Sequence, residues 1–189
     1  VVLVTGASGG LGGALARECA APGRTLVLHG RDERKLAPVV RDCEAKGARV
    51  IPVLLDLADA PRARAVLAGI AAGTPVDLAI VNAGTASTRR DPHDEDWESA
   101  SRTIDVNVRG AMATVDAVLP GMLARGRGQV ALVSSLSAWF GLPLSPAYCA
   151  SKAALKAWGE ALGGALGPRG VSVCVVLPGF VRTPMSERF

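Results

Sequence analysis

The sequence has few of the residues that form metal or redox centres. It contains four cysteines, with no CxxC pair and no histidine at the spacing of a zinc site. Two histidines are present, His29 and His93, and they stand far apart in the chain. The pattern argues against a zinc site or a redox dithiol, and it predicts reduced thiols and a reaction that needs no metal.

The sequence also lacks long apolar runs. No stretch approaches the roughly 18 apolar residues that a membrane-spanning helix needs. The short run Val1–Val4 has neither the preceding basic residues nor the following cleavage site of a signal peptide. We therefore expect a soluble, cytoplasmic protein that does not enter a membrane.

Positive charge is in excess but is not concentrated. The net charge is +4, and the densest basic groups, residues 31–35 and 125–127, are interrupted by acidic residues or short. This scatter argues against a nucleic-acid partner. The excess is available to attract a phosphate-rich cofactor.

Short apolar runs alternate with longer segments of helical period along the 189 residues. The predicted strands are Val1–Thr5, Thr25–His29, Arg49–Leu54, Asp77–Val81, Gln129–Ser134 and Val171–Leu177. The predicted helices cover residues 11–21, 32–46, 59–72, 96–124 and 147–166. The alternation predicts an α/β protein with a doubly wound parallel sheet, a Rossmann fold in three α/β/α layers. Since no break in composition marks a second unit, we expect one dinucleotide-binding catalytic domain over residues 1–189.

A glycine-rich loop, TGASGGLG at residues 5–12, follows the first strand and opens the first helix. In this place, bare backbone N–H groups and the helix dipole can hold a pyrophosphate. The alternative is a plain tight turn with a helix N-cap at Ser8. The candidate phosphate-binding residues are Gly6, Ser8, Gly9, Gly10, Leu11 and Gly12.

The end of the second strand indicates which dinucleotide is bound. Many dinucleotide-binding proteins have an acidic residue here that binds the ribose 2′-hydroxyl, whereas this chain has His29-Gly30-Arg31. A carboxylate would repel a 2′-phosphate, and Arg31 would attract one. We therefore expect NADP(H) to be favoured over NAD(H). Alternatively, Arg31 is a solvent-exposed loop cation.

Tyr148 and Lys152 lie one helical turn apart, on the same face of a predicted helix. A free phenol has a pKa of about 10, so acid/base work near neutral pH requires a nearby positive charge, which Lys152 supplies. Ser135 precedes Tyr148 by thirteen positions, at the end of the fifth strand, and its hydroxyl can hydrogen-bond a substrate oxygen. The alternative is an amphipathic helix with a surface lysine.

The TGxxxGxG spacing of the glycine loop and the Ser135, Tyr148 and Lys152 set together resemble the short-chain dehydrogenase/reductase family. The match runs in family order from residue 5 to residue 183, nearly the whole chain. The family's second basic position, inside the glycine loop, is Gly9 here. The resemblance implies an NAD(P)-dependent oxidoreductase that delivers hydride from the B face of the nicotinamide.

The resemblance also implies roles for residues that spacing alone would leave as turns or, for Asn107, as a polar residue in a helix. The implied adenine contacts are Asp56 and Leu57; the NAG motif is Asn82, Ala83 and Gly84; and the motif that contacts the nicotinamide carboxamide is Pro178, Gly179, Val181 and Thr183. Asn107 corresponds to the family's helix asparagine, which helps hold a water between the lysine and bulk solvent.

The implied mechanism divides the work among four residues. Ser135 orients the carbonyl, Tyr148 donates its proton as hydride reaches carbon, and Lys152 binds the ribose and lowers the tyrosine pKa. Asn107 completes the proton relay. Two alternatives stay open: a cofactor-binding regulatory or scaffolding protein without redox chemistry, and an NAD(P)-dependent epimerase.

The chain stops at Phe189, where members of the family usually continue through a substrate-covering segment and a last strand, and we expect that this region is missing. Residues 136–143 and 85–93 are near the expected pocket, and the first segment suggests an apolar wall and a hydrophobic carbonyl substrate. The alternative is that residues 136–143 simply pack as a loop over the sheet. Steroid, acyl, sugar and xenobiotic substrates all stay open. The apolar helices at 96–124 and 147–166 predict pairing with a second copy, in a homodimer or homotetramer.

Overall fold

The computed structural model describes residues 1–86 and 95–183. Six parallel strands form one sheet in the order β3-β2-β1-β4-β5-β6. The strands are β1 (Val2–Val4), β2 (Thr25–Gly30), β3 (Arg49–Leu54), β4 (Leu78–Val81), β5 (Gly128–Val133) and β6 (Val171–Val176). The α-helices are α1 (Gly10–Cys19), α2 (Glu33–Ala45), α3 (Ala60–Gly73), α4 (Trp97–Ile104), α5 (Gly110–Arg125) and α6 (Pro146–Leu166). The doubly wound α/β prediction is confirmed, and every strand end lies within one residue of the predicted one.

The strand order reverses beside β1. From β1 the chain moves outward through β2 and β3, then returns to the other side of β1 for β4, β5 and β6. In sheets of this kind a crevice opens between the carboxyl ends of the two central strands. The loops that follow β1 and β4 therefore meet at the centre of the molecule.

Apolar side chains cover both faces of the sheet. On one face Leu3 packs in a cluster that includes residues of α3, α5 and α6. On the other face Val4 packs with residues of α1 and α2, among them Leu36. Because consecutive strand residues point to opposite faces, continuous apolar runs are what a sheet covered on both sides requires.

The helix predicted over residues 96–124 is three segments. A five-residue π-helical turn, Asp105–Arg109, separates α4 from α5. The side chain of Asn107, in this turn, is held on both sides by Thr85, whose N–H donates to Oδ1 over 2.8 Å and whose carbonyl accepts from Nδ2 over 2.9 Å. Helical periodicity does not distinguish a π turn from an α turn, so the prediction missed it.

Two further findings concern the helices. The alternative of an N-cap at Ser8 is wrong, because Gly9 occupies the N-cap position of α1 and makes no side-chain cap. Within the described part of the chain, no helix combines the length and apolar character needed to cross a membrane.

Candidate functional site

The glycine loop leaves β1 along a path that side chains would block. Gly6 has φ +69°, and a Cβ atom there would lie 2.8 Å from Cα of Ala83. A Cβ on Gly12 would collide with the carbonyl oxygen of Gly6. Glycine at these two positions lets the loop lie directly against the turn after β4.

The first turn of α1 fits a diphosphate. Its N-terminal N–H groups have no partners within the helix, and Gly9 provides no side-chain acceptor for them. The helix dipole favours negative charge at the same place. Gly10, Leu11 and Gly12 thus present main-chain donors, while Ser8 lies against β2, where a Cβ on Gly30 would be 3.0 Å from its Oγ.

The turn after β4 is joined to the glycine loop by hydrogen bonds. The N–H groups of Asn82 and Ala83 donate to Thr5 Oγ1 over 3.0 and 3.1 Å. The Asn82 amide donates back to the Thr5 carbonyl over 3.0 Å. The structure therefore brings Asn82, Ala83 and Gly84 directly beside the glycine loop.

Asp56, which follows β3, is held from two sides. One carboxylate oxygen accepts from the Ala58 N–H over 3.1 Å, and the other accepts from Arg102 of α4 over 2.7 Å. Burial pushes the Asp56 pKa up, but these two hydrogen bonds and the nearby Arg102 and Arg31 charges outweigh burial and hold it below its usual value. The adjacent Leu57 side chain is buried in the core.

No sequence motif singles out Arg102. It lies 46 positions from Asp56, so no local motif could connect the two residues. The pair joins the segment after β3 to α4.

Arg31 lies immediately after β2 on the surface and acts electrostatically on both Asp56 and His29. The neighbouring carboxylate, Asp32, is engaged in capping α2, where it accepts from the Arg34 N–H over 2.9 Å and from the Lys35 N–H over 3.3 Å. Arg31 therefore provides an exposed positive charge at the end of β2, close enough to Asp56 and His29 to act on both.

Tyr148 and Lys152 lie on the first turns of α6, with the lysine Nζ 5.7 Å from the centre of the tyrosine ring. Lys152 is 4% exposed, and its Nζ donates to the Val133 carbonyl over 2.8 Å. Burial lowers the Lys152 pKa to about 8. The Tyr148 pKa is raised by burial rather than lowered as expected, and the nearby Ser135 opposes that rise.

Ser135 stands two residues beyond β5. Its hydroxyl donates to Ser137 Oγ and accepts from the Ser137 N–H, both over 3.1 Å. Its neighbour Ser134 donates to the Lys152 carbonyl over 2.7 Å, which joins the end of β5 to α6. Neither Ser134 nor Ser137 was singled out by motif, although each flanks the predicted residue.

Asn107 is fully buried and approaches the same group from the π turn. Beyond Thr85, its amide donates to Ser151 Oγ over 2.9 Å, so it contacts α6 between Tyr148 and Lys152. A Cβ on Gly84 would lie 3.4 Å from both Asn107 Oδ1 and Lys152 Nζ. The structure therefore gathers the four predicted catalytic residues around the ends of β4 and β5.

The segment after β6 reaches the same place. The Pro178 carbonyl accepts from the Leu136 N–H over 3.0 Å, and Gly179 lies against the Leu136 side chain. Val181 and Thr183 follow at the end of the described range. Pro178 and Gly179 therefore lie beside the loop that contains Ser135.

The predicted apolar wall, residues 136–143, has two parts. Residues 137–143 line a surface cavity of about 550 Å³ together with Cys149, Ala150 and Ala153. These three residues follow Tyr148 by one, two and five positions, which places them on the other side of α6 from its phenol. Leu136 instead adjoins the segment after β6. Of the other predicted pocket segment, residues 87–93 lie outside the described residues, as does His93.

Comparison with known proteins agrees with this architecture. The family model for short chain dehydrogenase matches residues 1–189. An uncharacterised oxidoreductase of Myxococcus xanthus is 41% identical over 189 residues, which cover 97% of this chain and 73% of that protein.

Solved structures show the same fold. A metagenomic short-chain oxidoreductase in complex with NADP superposes with a TM-score of 0.88 at 31% identity, over 95% of this chain and 82% of that one. A 3-oxoacyl (acyl-carrier-protein) reductase from Agrobacterium tumefaciens with NADP bound gives a TM-score of 0.91 at 26% identity, over 98% of this chain and 72% of that one.

Proposed function

Because the chain belongs to the short-chain dehydrogenase/reductase family of NAD(P)-dependent oxidoreductases, we propose that it interconverts an alcohol and a carbonyl compound with NADP(H). The single observation that supports this most is the buried Lys152, whose Nζ lies 5.7 Å from the centre of the Tyr148 ring. Burying a charged group lowers stability unless the charge is paired and hydrogen-bonded, and such groups cluster at functional sites.

In the proposed reduction, the bound nicotinamide supplies the hydride. Ser135 orients the substrate oxygen, and Tyr148 gives its proton to that oxygen. Lys152 holds positive charge near the phenol, which stabilises the phenolate left behind. Asn107 holds the residues around Gly84 at a fixed position relative to α6. We assign Asn107 to the path that returns a proton to Lys152.

The cofactor preference rests on Arg31. A guanidinium at the end of β2 can bind a 2′-phosphate through charge-assisted hydrogen bonds, and the nearby Asp32 carboxylate is already engaged by backbone donors. Asp56 with Leu57, and Asn82 to Gly84, are assigned to the adenosine side. Pro178, Gly179, Val181 and Thr183 are assigned to the nicotinamide side.

For the substrate, we propose a small molecule with apolar substituents. Leu136, Phe180 and Val181 follow the ends of β5 and β6, and their side chains are 48%, 91% and 41% exposed. Apolar side chains grouped beside polar catalytic groups are typical of sites for hydrophobic ligands. We place the enzyme in the cytoplasm, in keeping with its free cysteines, two of them buried.

We further propose that residues 1–189 form one dinucleotide-binding catalytic domain, which pairs with a second copy through the helices at 96–124 and 147–166. The exposed Trp139 and Phe140 beside α6 support such a contact. Light scattering should give a mass of two or four chains; a monomer at assay concentration would contradict this.

The decisive experiment is a turnover assay that follows loss of reduced nicotinamide absorbance, with NADPH or NADH and a panel of ketones and aldehydes. We expect turnover with NADPH, and a loss of about 10³-fold in Tyr148→Phe, the range of a single general acid. NADPH binding should persist in the variant. Binding without turnover on any carbonyl would contradict the proposed function and favour a regulatory role.

A further inference from the structure

His29 is a buried titratable side chain that the proposed reaction does not use. It lies in β2 with 2% of its surface exposed, and both ring nitrogens have backbone partners. Nδ1 is 3.2 Å from the Gly6 nitrogen, and Nε2 is 2.9 Å from the Leu55 carbonyl oxygen. Since a carbonyl can only accept, Nε2 carries the proton, and the lone pair of Nδ1 accepts from the Gly6 N–H.

The hydrogen bonds of the His29 ring are among several that meet at the end of β2. The His29 carbonyl accepts from the Ala7 N–H over 2.8 Å, so two consecutive N–H groups of the glycine loop are bound to this one residue. On the other side, the Gly30 carbonyl accepts from the Leu55 N–H over 3.1 Å. His29 therefore connects the loop after β1 to the end of β3.

The residues at the two ends of this bridge are constrained on their other sides as well. Gly6 has a left-handed backbone and lies against Ala83. Leu55 directly precedes Asp56, whose carboxylate is held by Arg102. A change in the two hydrogen bonds of the ring would alter the spacing between the glycine loop and residues 55–56, the Asp56 segment.

The neutral form of the ring is favoured by its surroundings. Burial lowers the His29 pKa, and the nearby Arg31 acts in the same direction, against the Leu55 carbonyl and Asp56. A proton on Nδ1 would remove the acceptor of the Gly6 N–H. The bridge thus requires the neutral ring with its proton on Nε2.

We propose that His29 is a positioning residue for the adenosine half of the dinucleotide, which sets the spacing between the glycine loop and the Asp56 segment through its Nδ1 and Nε2 hydrogen bonds. The inference rests on the proposed NADP(H) function. His29 itself touches loop backbone and not the reacting atoms.

The test uses three substitutions that separate the two bonds. His29→Asn places an amide oxygen near the position of Nδ1 and keeps an acceptor for Gly6. His29→Gln places an amide nitrogen near the position of Nε2 and keeps a donor for Leu55. His29→Leu keeps neither. Titration calorimetry with NADP⁺ and with 2′,5′-ADP, which carries only the adenosine half, measures affinity, and steady-state assays at saturating NADPH measure kcat.

We expect His29→Leu to weaken both ligands alike, by about 10-fold or more, since a buried N–H without a partner costs more than a lost bond. The Asn and Gln variants should each recover part of the affinity, to within about 3-fold of the unmodified protein. The KM for NADPH should rise in step with the dissociation constants, and kcat at saturation should stay within about 2-fold.

Three results would overturn the inference. One is unchanged ligand affinity in all variants together with lower melting temperatures, which would make His29 a structural residue only. Another is a fall in kcat without a change in affinity. If the unmodified protein binds neither NADP⁺ nor 2′,5′-ADP, the proposed function falls as well, so the two failures are distinguishable. Should the Leu variant not fold, the Asn and Gln variants carry the comparison.

Discussion

The two halves of the sheet hold their loops in different ways. After β1 and β2 the loops are joined by neutral groups: the Ala7 N–H donates to the His29 carbonyl, and the turn after β4 donates to the Thr5 hydroxyl. After β5 the connection to α6 depends on side chains, with Ser134 on the Lys152 carbonyl and Lys152 on the Val133 carbonyl. The first half therefore fixes a shape, whereas the second half places functional groups, including a buried charge.

The largest effect should come from that buried charge. The folded-state pKa of Lys152 is about 8 and its ordinary value is 10.5, so between these pH values the unfolded chain binds more protons and folding stability from this group rises with pH. In urea unfolding at several pH values, the stability of the unmodified protein relative to Lys152→Met should rise by about 3 kcal/mol over this range.

A lysine on the surface provides the control for this prediction. The Lys35 side chain is 73% exposed, so the stability difference between the unmodified protein and Lys35→Met should stay flat over the same pH range. If the stability differences for the two variants changed equally with pH, burial would not be lowering the Lys152 pKa. The contrast between the two halves would then be wrong.

The shape of the first half can be tested at Gly12. Gly12→Ala should lower the free energy of unfolding by about 2 kcal/mol, because its Cβ meets the rigid Gly6 carbonyl. It should also weaken NADP⁺ binding. Gly164→Ala is the matched control, since a Cβ there meets nothing within 4 Å and helical alanine is favoured by up to about 1 kcal/mol. Denaturant unfolding measures both; a stable Gly12→Ala with intact binding would show that the loop tolerates a change of path.

The smallest effect should be the contribution of Arg31 to cofactor choice. Arg31→Ala should weaken NADP⁺ by about 10-fold and leave NAD⁺ unchanged, because one charge-assisted contact to the 2′-phosphate is lost. Arg34→Ala, in the first turn of α2, should change neither affinity. Equal losses for both dinucleotides, or for both variants, would indicate a general electrostatic effect instead.

Much of the fold could be predicted because each strand is a continuous apolar run bounded by turn residues. β3 was predicted with its observed bounds, Arg49–Leu54. The predicted site residues share one edge because parallel strands all end there, so Ser135 and Asn82 needed no long-range information to be placed near each other.

Other parts of the site could not be predicted, because they depend on partners distant in sequence. Arg102 meets Asp56 across 46 positions, and His29 meets Leu55 across 26. Neither pair has a motif, and a buried histidine in an apolar strand looks the same in sequence whether or not it has a role. Their positions follow only from the packing of β2, β3 and α4.

The π turn at Asp105–Arg109 makes the site sensitive to residue count as well as residue identity. A π turn holds one residue more than an α turn, and each helical residue advances the side-chain direction by about 100°. Deleting one residue within the turn would let α4 and α5 join as a regular helix with little change in their relative orientation, but it would turn the Asn107 side chain to a new direction. The amide of Asn107 would then no longer face both Thr85 and Ser151. Shortening the chain by one residue therefore tests the geometry of the turn, whereas substitution of Asn107 tests only its side chain.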